Sequence, residues 1–386
     1  MHVASFRPAT IVLGLLVAAI AADRSEAAMA PRECADALIA AMAASGVTAT
    51  FADATASGDA VTITGISAKQ ASGRTLTIDS LTFANPIARE PGGFTSERMD
   101  FIGATATLRD NTLRAASGQV EKAVVPSADE VKARTRVTPF SRALVSGITA
   151  TDKETSEEAP VSIGSVELLL GDLSKGVPNS MKLTVSGITV DGARLAAFSI
   201  PTAMIEDPDA PGDMRFDVVL DTVYDSENDA LTIRAITLSA PRIGSLTVSA
   251  SVSGLPLGAL AGEKRNETAM AAKLDSATLR FENKGVVERM LDEQAKISGE
   301  TRQQYLDKLL PKLPELLGER LGNSELQQKL AAAAEAFLKD PKSITVESRP
   351  SEPVPVFLIG LAAFQIAFGV PVDLSEVRDV EIRTNQ

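Results

Sequence analysis

The sequence of 386 residues has one histidine, one cysteine, two tyrosines and no tryptophan. The histidine is His2, at the start of the chain. A Ser-His-Asp or Cys-His site needs an imidazole to take the nucleophile's proton, and the usual zinc or iron centre needs one as a ligand. Beyond His2 neither can be assembled. One cysteine, Cys34, excludes an internal disulfide, a CxxC redox pair and a cysteine-rich metal cluster. GxSxG, SxxK, GxxxxGK[ST] and GxGxxG are also missing, and with them the local signatures of serine-elbow hydrolases, penicillin-binding enzymes, P-loop enzymes and dinucleotide enzymes. Against 50 Asp and Glu stand only 38 Lys and Arg, a formal net charge of −12. That sign argues against a phosphate-binding surface, so nucleic acid is not an expected partner. No cofactor or metal is expected.

What is present begins with the N-terminus. Arg7 precedes an unbroken apolar run, Ile11 to Ala22, followed by small residues with Ala-x-Ala-like sites ending near Ala22, Ala28 or Ala30. A basic start, a short apolar run and a small-residue exit read as a secretory signal peptide over residues 1–28. No later run reaches the roughly 18 apolar residues of a membrane-spanning helix, so the mature form is expected not to span a membrane and to work in the periplasm. A short Ala-rich helix over residues 29–46 follows. In it Cys34 reads either as a reactive thiol or as a small apolar residue on a helix face.

Between residues 47 and 283 short runs rich in Val, Ile, Thr, Leu and Ser alternate apolar with polar residues and are broken by Gly, Asp, Asn or Pro. Period-two alternation with regular turns predicts antiparallel strands with one buried and one wetted face, in a long β-meander forming a curved sheet or groove. Fragments recur: Val145-Ser146-Gly147-Ile148-Thr149 returns as Val185-Ser186-Gly187-Ile188-Thr189, with weaker echoes at Ile63-Thr64-Gly65-Ile66-Ser67 and Val252-Ser253-Gly254-Leu255. The spacing is irregular, so these are repeated hairpins and not a solenoid period.

After residue 283 the period changes to 3.6. Val286, Val287, Met290 and Leu291, then Tyr305, Leu306, Leu309 and Leu310, then Leu326, Leu330, Phe337 and Leu338 have helical spacing. Pro311 and Pro314 interrupt any single helix, and Gly322-Asn323-Ser324 can close one helix and open the next. Three or four short amphipathic helices are predicted over residues 285–339, then a strand, a Pro-bounded apolar stretch and a last strand. The fold class is α+β, with the 284–386 region continuous with the sheet. Leu306, Leu310, Leu313, Leu317, Phe337, Phe357 and Phe364 are the candidate lining of an apolar ligand site; the same spacing also fits plain core.

Two acidic clusters qualify for attention, Asp207, Asp209 and Asp213, and Asp225, Glu227, Asn228 and Asp229. Neither has the spacing of a calcium loop, and Asp and Asn cap turns by themselves, which favours solvated turns. A glycosidase would add paired carboxylates and aromatic platforms, and the chain has few aromatics to offer.

Strand after strand of the LTVSGI and LTLSAP kind behind a signal peptide resembles the AsmA-like and related repeating-β periplasmic proteins of Gram-negative bacteria. The segments FENKGVVERMLDEQAK and LKDPKSITVESRPSEPVPV resemble uncharacterised periplasmic proteins of proteobacteria. The resemblance implies a lipid-related role in the envelope, and no site residues come with it. The expectation is thus a non-enzymatic periplasmic protein that binds or helps move envelope lipids through an apolar groove. Two alternatives are an adaptor that docks an envelope protein partner through sheet edges or an apolar patch, and a carboxylate-dependent hydrolase.

Overall fold

A computed structural model describes residues 29–108, 111–133, 140–152, 161–174, 177–191, 213–256, 271–318, 324–356 and 379–386. Residues 1–28, read from the sequence as a signal peptide, therefore lie outside the described residues. The chain divides into two compact units, the first ending at Ile188 and the second beginning at Thr189. That division falls inside the region whose composition reads as one β stretch.

Unit 1 opens with helix α1 (Pro31–Ala44) and continues through β1 (Val47–Thr50), β2 (Asp53–Ser57), β3 (Ala60–Gln70), β4 (Thr75–Ala84), β5 (Ile87–Ala88), β6 (Gly93–Thr107) and β7 (Asn111–Pro126). Helix α2 (Ala128–Ala133) then leads to β8 (Arg142–Asp152), β9 (Val161–Leu170), a small ladder of β10 (Leu173–Ser174) with β11 (Val177–Pro178), and β12 (Ser180–Asp191), the strand in which the division falls. β1 and β2 lie end to end along one side of β3; from there the antiparallel order is β3, β4, β6, β7, β8, β9, with β5 on β6. This is the meander that the alternation predicts. Gly58, with φ at +60°, opens the two-residue turn between β2 and β3, a position that favours glycine.

The repeated Ser/Thr-Gly-Ile fragments have a structural purpose that the sequence conceals. Flanking register places Gly65, Asp79, Gly103, Ala116, Gly147 and Gly164 opposite one another on β3, β4, β6, β7, β8 and β9, as a row crossing the sheet. At this row every strand carries one residue too many for strict alternation. The buried side is Val61 and Ile63 before it but Ile66 and Ala68 after it on β3, and Met99 and Phe101 but Ala104 and Ala106 on β6. The pairing register runs unbroken through the row, so the change of inward-facing side falls on one line across six strands, here called the crease. Gly65, Gly103 and Gly147 take φ of +61°, +64° and +64°, in the left-handed region that disfavours side chains. A Cβ on Gly103 would stand 1.9 Å from Asp79 Oδ2, and one on Gly147 2.8 Å from Ala116 Cβ. At this row β3, β6 and β8 thus need glycine, while β4 and β7 between them carry the side chains of Asp79 and Ala116.

α1 begins at Pro31, whose fixed φ suits a first helical position, and buries Cys34, Ala35, Ala41 and Met42 along one stripe. It packs against β1, β2, β3, β6, β7 and α2. Beneath it the core gathers Ile63, Phe83, Phe94 and Val125, with the Phe83 and Phe94 rings edge to face at 4.9 Å. The cover of this sheet is therefore the N-terminal helix.

Unit 2 contains β13 (Asp213–Asp225), β14 (Ala230–Ala240), β15 (Gly244–Ser253) and β16 (Lys273–Asn283). Helices α3 (Val286–Ile297), α4 (Arg302–Leu309), α5 (Leu313–Gly318) and α6 (Ser324–Lys339) follow, then β17 (Ser343–Ser348), β18 (Val354–Pro355) and β19 (Val380–Thr384). The four helices and the returning C-terminal strand match the α+β expectation. Thr301 caps α4: its Oγ1 accepts from the Gln304 N–H, and Gln304 Oε1 accepts from the Thr301 N–H. Pro311 falls in the 3₁₀ turn Leu310–Lys312 that separates α4 from α5.

The antiparallel order in unit 2 is β13, β14, β15, β16, β17, β19, with β18 on β16. Its two faces differ in character. Val218, Leu238, Leu246, Phe281 and Ile344 stand side by side across five strands on one, whereas Thr237, Thr247, Arg280, Thr345 and Arg383 cross the other. α6 packs on β17 and β19 and sets Phe337 edge to face against Phe281 at 6.2 Å.

Candidate functional site

A cavity lies in unit 1, between α1 and the sheet, with a volume of about 130 Å³. Its position follows from the crease. Ile66, Ile78 and Ala104 line it from one side of that line and Leu81, Phe101 and Val145 from the other, while Leu38, Ala41 and Met42 of α1 form the roof. The cavity therefore straddles the line at which the inward-facing side of each strand changes. Every lining residue is apolar, so nothing in the wall can bind a charge or orient a polar substrate. Phe101 is held flat in the wall because its β7 neighbour is Gly118, where a Cβ would come within 2.1 Å of the ring. Leu38, Leu76 and Ile78 remain partly exposed, so the cavity is not sealed from solvent.

One polar device holds the cavity's end. Val125 and Pro126 line the wall and lead into α2, whose Glu130 accepts two hydrogen bonds from the Arg89 guanidinium at 3.0 and 3.1 Å. The two side chains are 10% and 7% exposed. Glu130 also accepts from the Ser127 N–H at 2.8 Å and donates its own N–H to Ser127 Oγ, a capping box on α2. Burial alone would raise the Glu130 pKa, but the hydrogen bonds from Arg89 and Ser127 and the guanidinium charge outweigh it and hold the carboxyl below its usual range.

The residues singled out from helical spacing take other places. Leu306 is buried in α4 and Phe337 is buried against Phe281, while Leu310 and Leu313 are half-buried around the 3₁₀ turn. Leu317 is in α5, and Phe357 and Phe364 lie outside the described residues. Of these, Leu306, Leu310, Leu313 and Phe337 do not line the cavity. The lining of this cavity is spread from residue 38 to residue 145 over a helix, five strands and a loop, and no local spacing announces it.

The remaining candidates resolve into local structure. Asp225 Oδ1 accepts from the N–H groups of Glu227 and Asn228, and Tyr224 donates to Asp229 Oδ1, so the second acidic cluster is a self-capped turn. Of the first cluster, residues 207 and 209 lie outside the described residues. Among the described residues no group of three or more His, Cys, Asp or Glu could hold a metal ion. A general acid needs its carboxyl held up, yet Asp292, Glu325 and Glu381 are held down by hydrogen bonds from Arg302, Lys329 and Arg383. Cys34 is fully buried, and burial, with the Glu33 charge, pushes its thiol up to about 12. It behaves as a small apolar core residue.

A second apolar feature belongs to unit 2. Ile236, Leu238, Leu246 and Leu279 adjoin one another on the aliphatic face and are 39 to 46% exposed. No helix among the described residues is long and apolar enough to cross a membrane.

A family model described as "Uncharacterized protein" matches residues 237–385, less than half of the chain and wholly within unit 2. No curated protein matches the chain.

Proposed function

We propose that this is an exported, non-enzymatic protein of the periplasm that binds the hydrocarbon part of an envelope lipid in the cavity beneath α1. The observation that carries this reading is a cavity walled only by aliphatic and aromatic side chains and left partly open at its rim. Ligand sites for hydrocarbon are concave and apolar, and need few fixed polar groups because the ligand has nothing to pair with them. The chain's lack of histidine beyond His2 supports a binding role over a catalytic one.

Binding of the fluorescent apolar probe N-phenyl-1-naphthylamine tests this reading. Ala143 is 5% exposed and lines the cavity, so Ala143→Phe places a ring in the space the ligand would take. The expected result is saturable binding to the parent protein, competed by long-chain fatty acid, and at least tenfold weaker binding to a folded Ala143→Phe protein. Equal binding by the two proteins would refute the cavity as the site.

A second reading is favoured by the exposed Ile236, Leu238, Leu246 and Leu279, which would suit an adaptor that docks an envelope partner. It expects a cross-linked species of higher mass in envelope extracts, lost on Leu238→Lys. A constant monomeric mass would sink it.

A further inference from the structure

A cavity of about 130 Å³ is well below the roughly 300 Å³ at which small-molecule pockets begin, and close to the roughly 150 Å³ of an engineered apolar cavity that admits benzene. With α1 seated it has room for the end of a hydrocarbon chain and for nothing polar. We propose, building on the lipid reading above, that it seats the methyl end of a single unbranched acyl chain, and that chains too long for the closed space are admitted by lifting α1 from the sheet.

α1 is the part of the wall built to move. The strands opposite are tied into continuous antiparallel ladders on both sides of the crease, so shifting them would break many backbone hydrogen bonds at once. The helix makes no such ladder. Its fully buried side chains are small, Cys34, Ala35 and Ala41, except for Met42; Leu38 and Ile39 are half-buried, and the exposed Arg32 guanidinium lies over the Phe51 ring at 5.0 Å. Small side chains remove little apolar area from water, so detaching them costs less than detaching a stripe of leucines. At its start Ala30 provides no side-chain cap, and Met29 donates one backbone hydrogen bond to the Pro86 carbonyl. At its end Gly46 sits at φ +82° with nothing within 4 Å of where a Cβ would stand. That glycine is an uncrowded joint between α1 and β1.

Chain length decides whether the joint is used. Each methylene taken from water is worth about 0.8 kcal/mol, or roughly fourfold in affinity. A long chain therefore gains enough to displace the few side chains that seat α1, and a short one fits beneath them without doing so.

The test is amide hydrogen exchange on the full mature chain, free and loaded with hexadecanoate or octanoate, with loading checked by native mass spectrometry. Hexadecanoate is expected to speed exchange of the α1 amides at least fivefold while β3 and β4 stay protected, and octanoate to leave α1 as in the free protein. Bound hexadecanoate with unchanged or slower α1 exchange overturns the lifting of α1 and leaves the lipid reading standing. Octanoate that loosens α1 as much as hexadecanoate overturns the size argument. Failure of hexadecanoate to be retained at all overturns both the inference and the reading on which it rests.

Discussion

Replacing Gly147 by alanine should separate the two demands that the crease makes on its glycines. At φ +64° an L-residue costs about 1–2 kcal/mol relative to glycine. The new Cβ would also lie 2.8 Å from Ala116 Cβ on the neighbouring strand, and an overlap of that size costs about 1 kcal/mol even after the strands give. Against this, the reduced freedom of the unfolded chain returns roughly 0.4–1 kcal/mol. The net expectation for Gly147→Ala is a loss of about 2 kcal/mol, or nearly 30-fold in the folding equilibrium. Ala116→Gly in the same chain removes the overlap but leaves the dihedral, so the double variant should recover about 1 kcal/mol of coupling. Urea denaturation followed by far-UV circular dichroism measures the loss, and hydrogen exchange of β7 and β8 assigns it to unit 1. A Gly147→Ala protein as stable as the parent, or more so, would show that the crease does not depend on the left-handed glycine.

Two further outcomes follow from buried groups. Cutting Glu130 to glutamine leaves the Arg89 guanidinium, 10% exposed, without its charge partner, and should destabilise unit 1 by about 3 kcal/mol at neutral pH. Because the folded-state pKa of Glu130 lies below the usual 4.5, the pair contributes fully above that value and its contribution is lost as pH falls through the depressed one. Stability measured from pH 6 down to pH 2 should accordingly fall less steeply in Glu130→Gln than in the parent; parallel curves would refute the assignment. Cys34, fully buried with its thiol raised to about 12, should be inert to Ellman's reagent at pH 8 in the native protein and react fully in urea. Rapid labelling of the native thiol would contradict its place in the core.

Much of the architecture is legible in residues alone because strand alternation and helical spacing are local signals. The runs around Ile63 and Leu81 show alternation, those around Leu291 and Phe337 show 3.6-residue spacing, and the elements form there. The crease is a different case. Val-Ser-Gly-Ile-Thr is visible as a recurring fragment, but its meaning lies in the register that brings Gly65, Gly103 and Gly147 into one row, and register is a property of strands paired across the sheet. The switch of parity at each of these glycines, from Ile63 to Ile66 and from Phe101 to Ala104, is the trace it leaves in one strand. The apolar site is legible least of all. Leucine-rich stripes such as Leu306 to Phe337 look alike whether they pack or bind, whereas α1, with its alanines, has too little apolar bulk to stand out as a roof. Only the folded arrangement shows that small side chains over the crease leave space.

The proposed lipid-binding role is tested most directly by native mass spectrometry, with organic extraction, on the protein purified without detergent from the cells that make it. A mass exceeding that of the polypeptide by one acyl lipid, at close to one per protein and lost in Ala143→Phe, is the expected result. A clean polypeptide mass from fresh, folded protein would contradict it and leave the aliphatic face of unit 2, with a docked protein partner, as the feature to pursue.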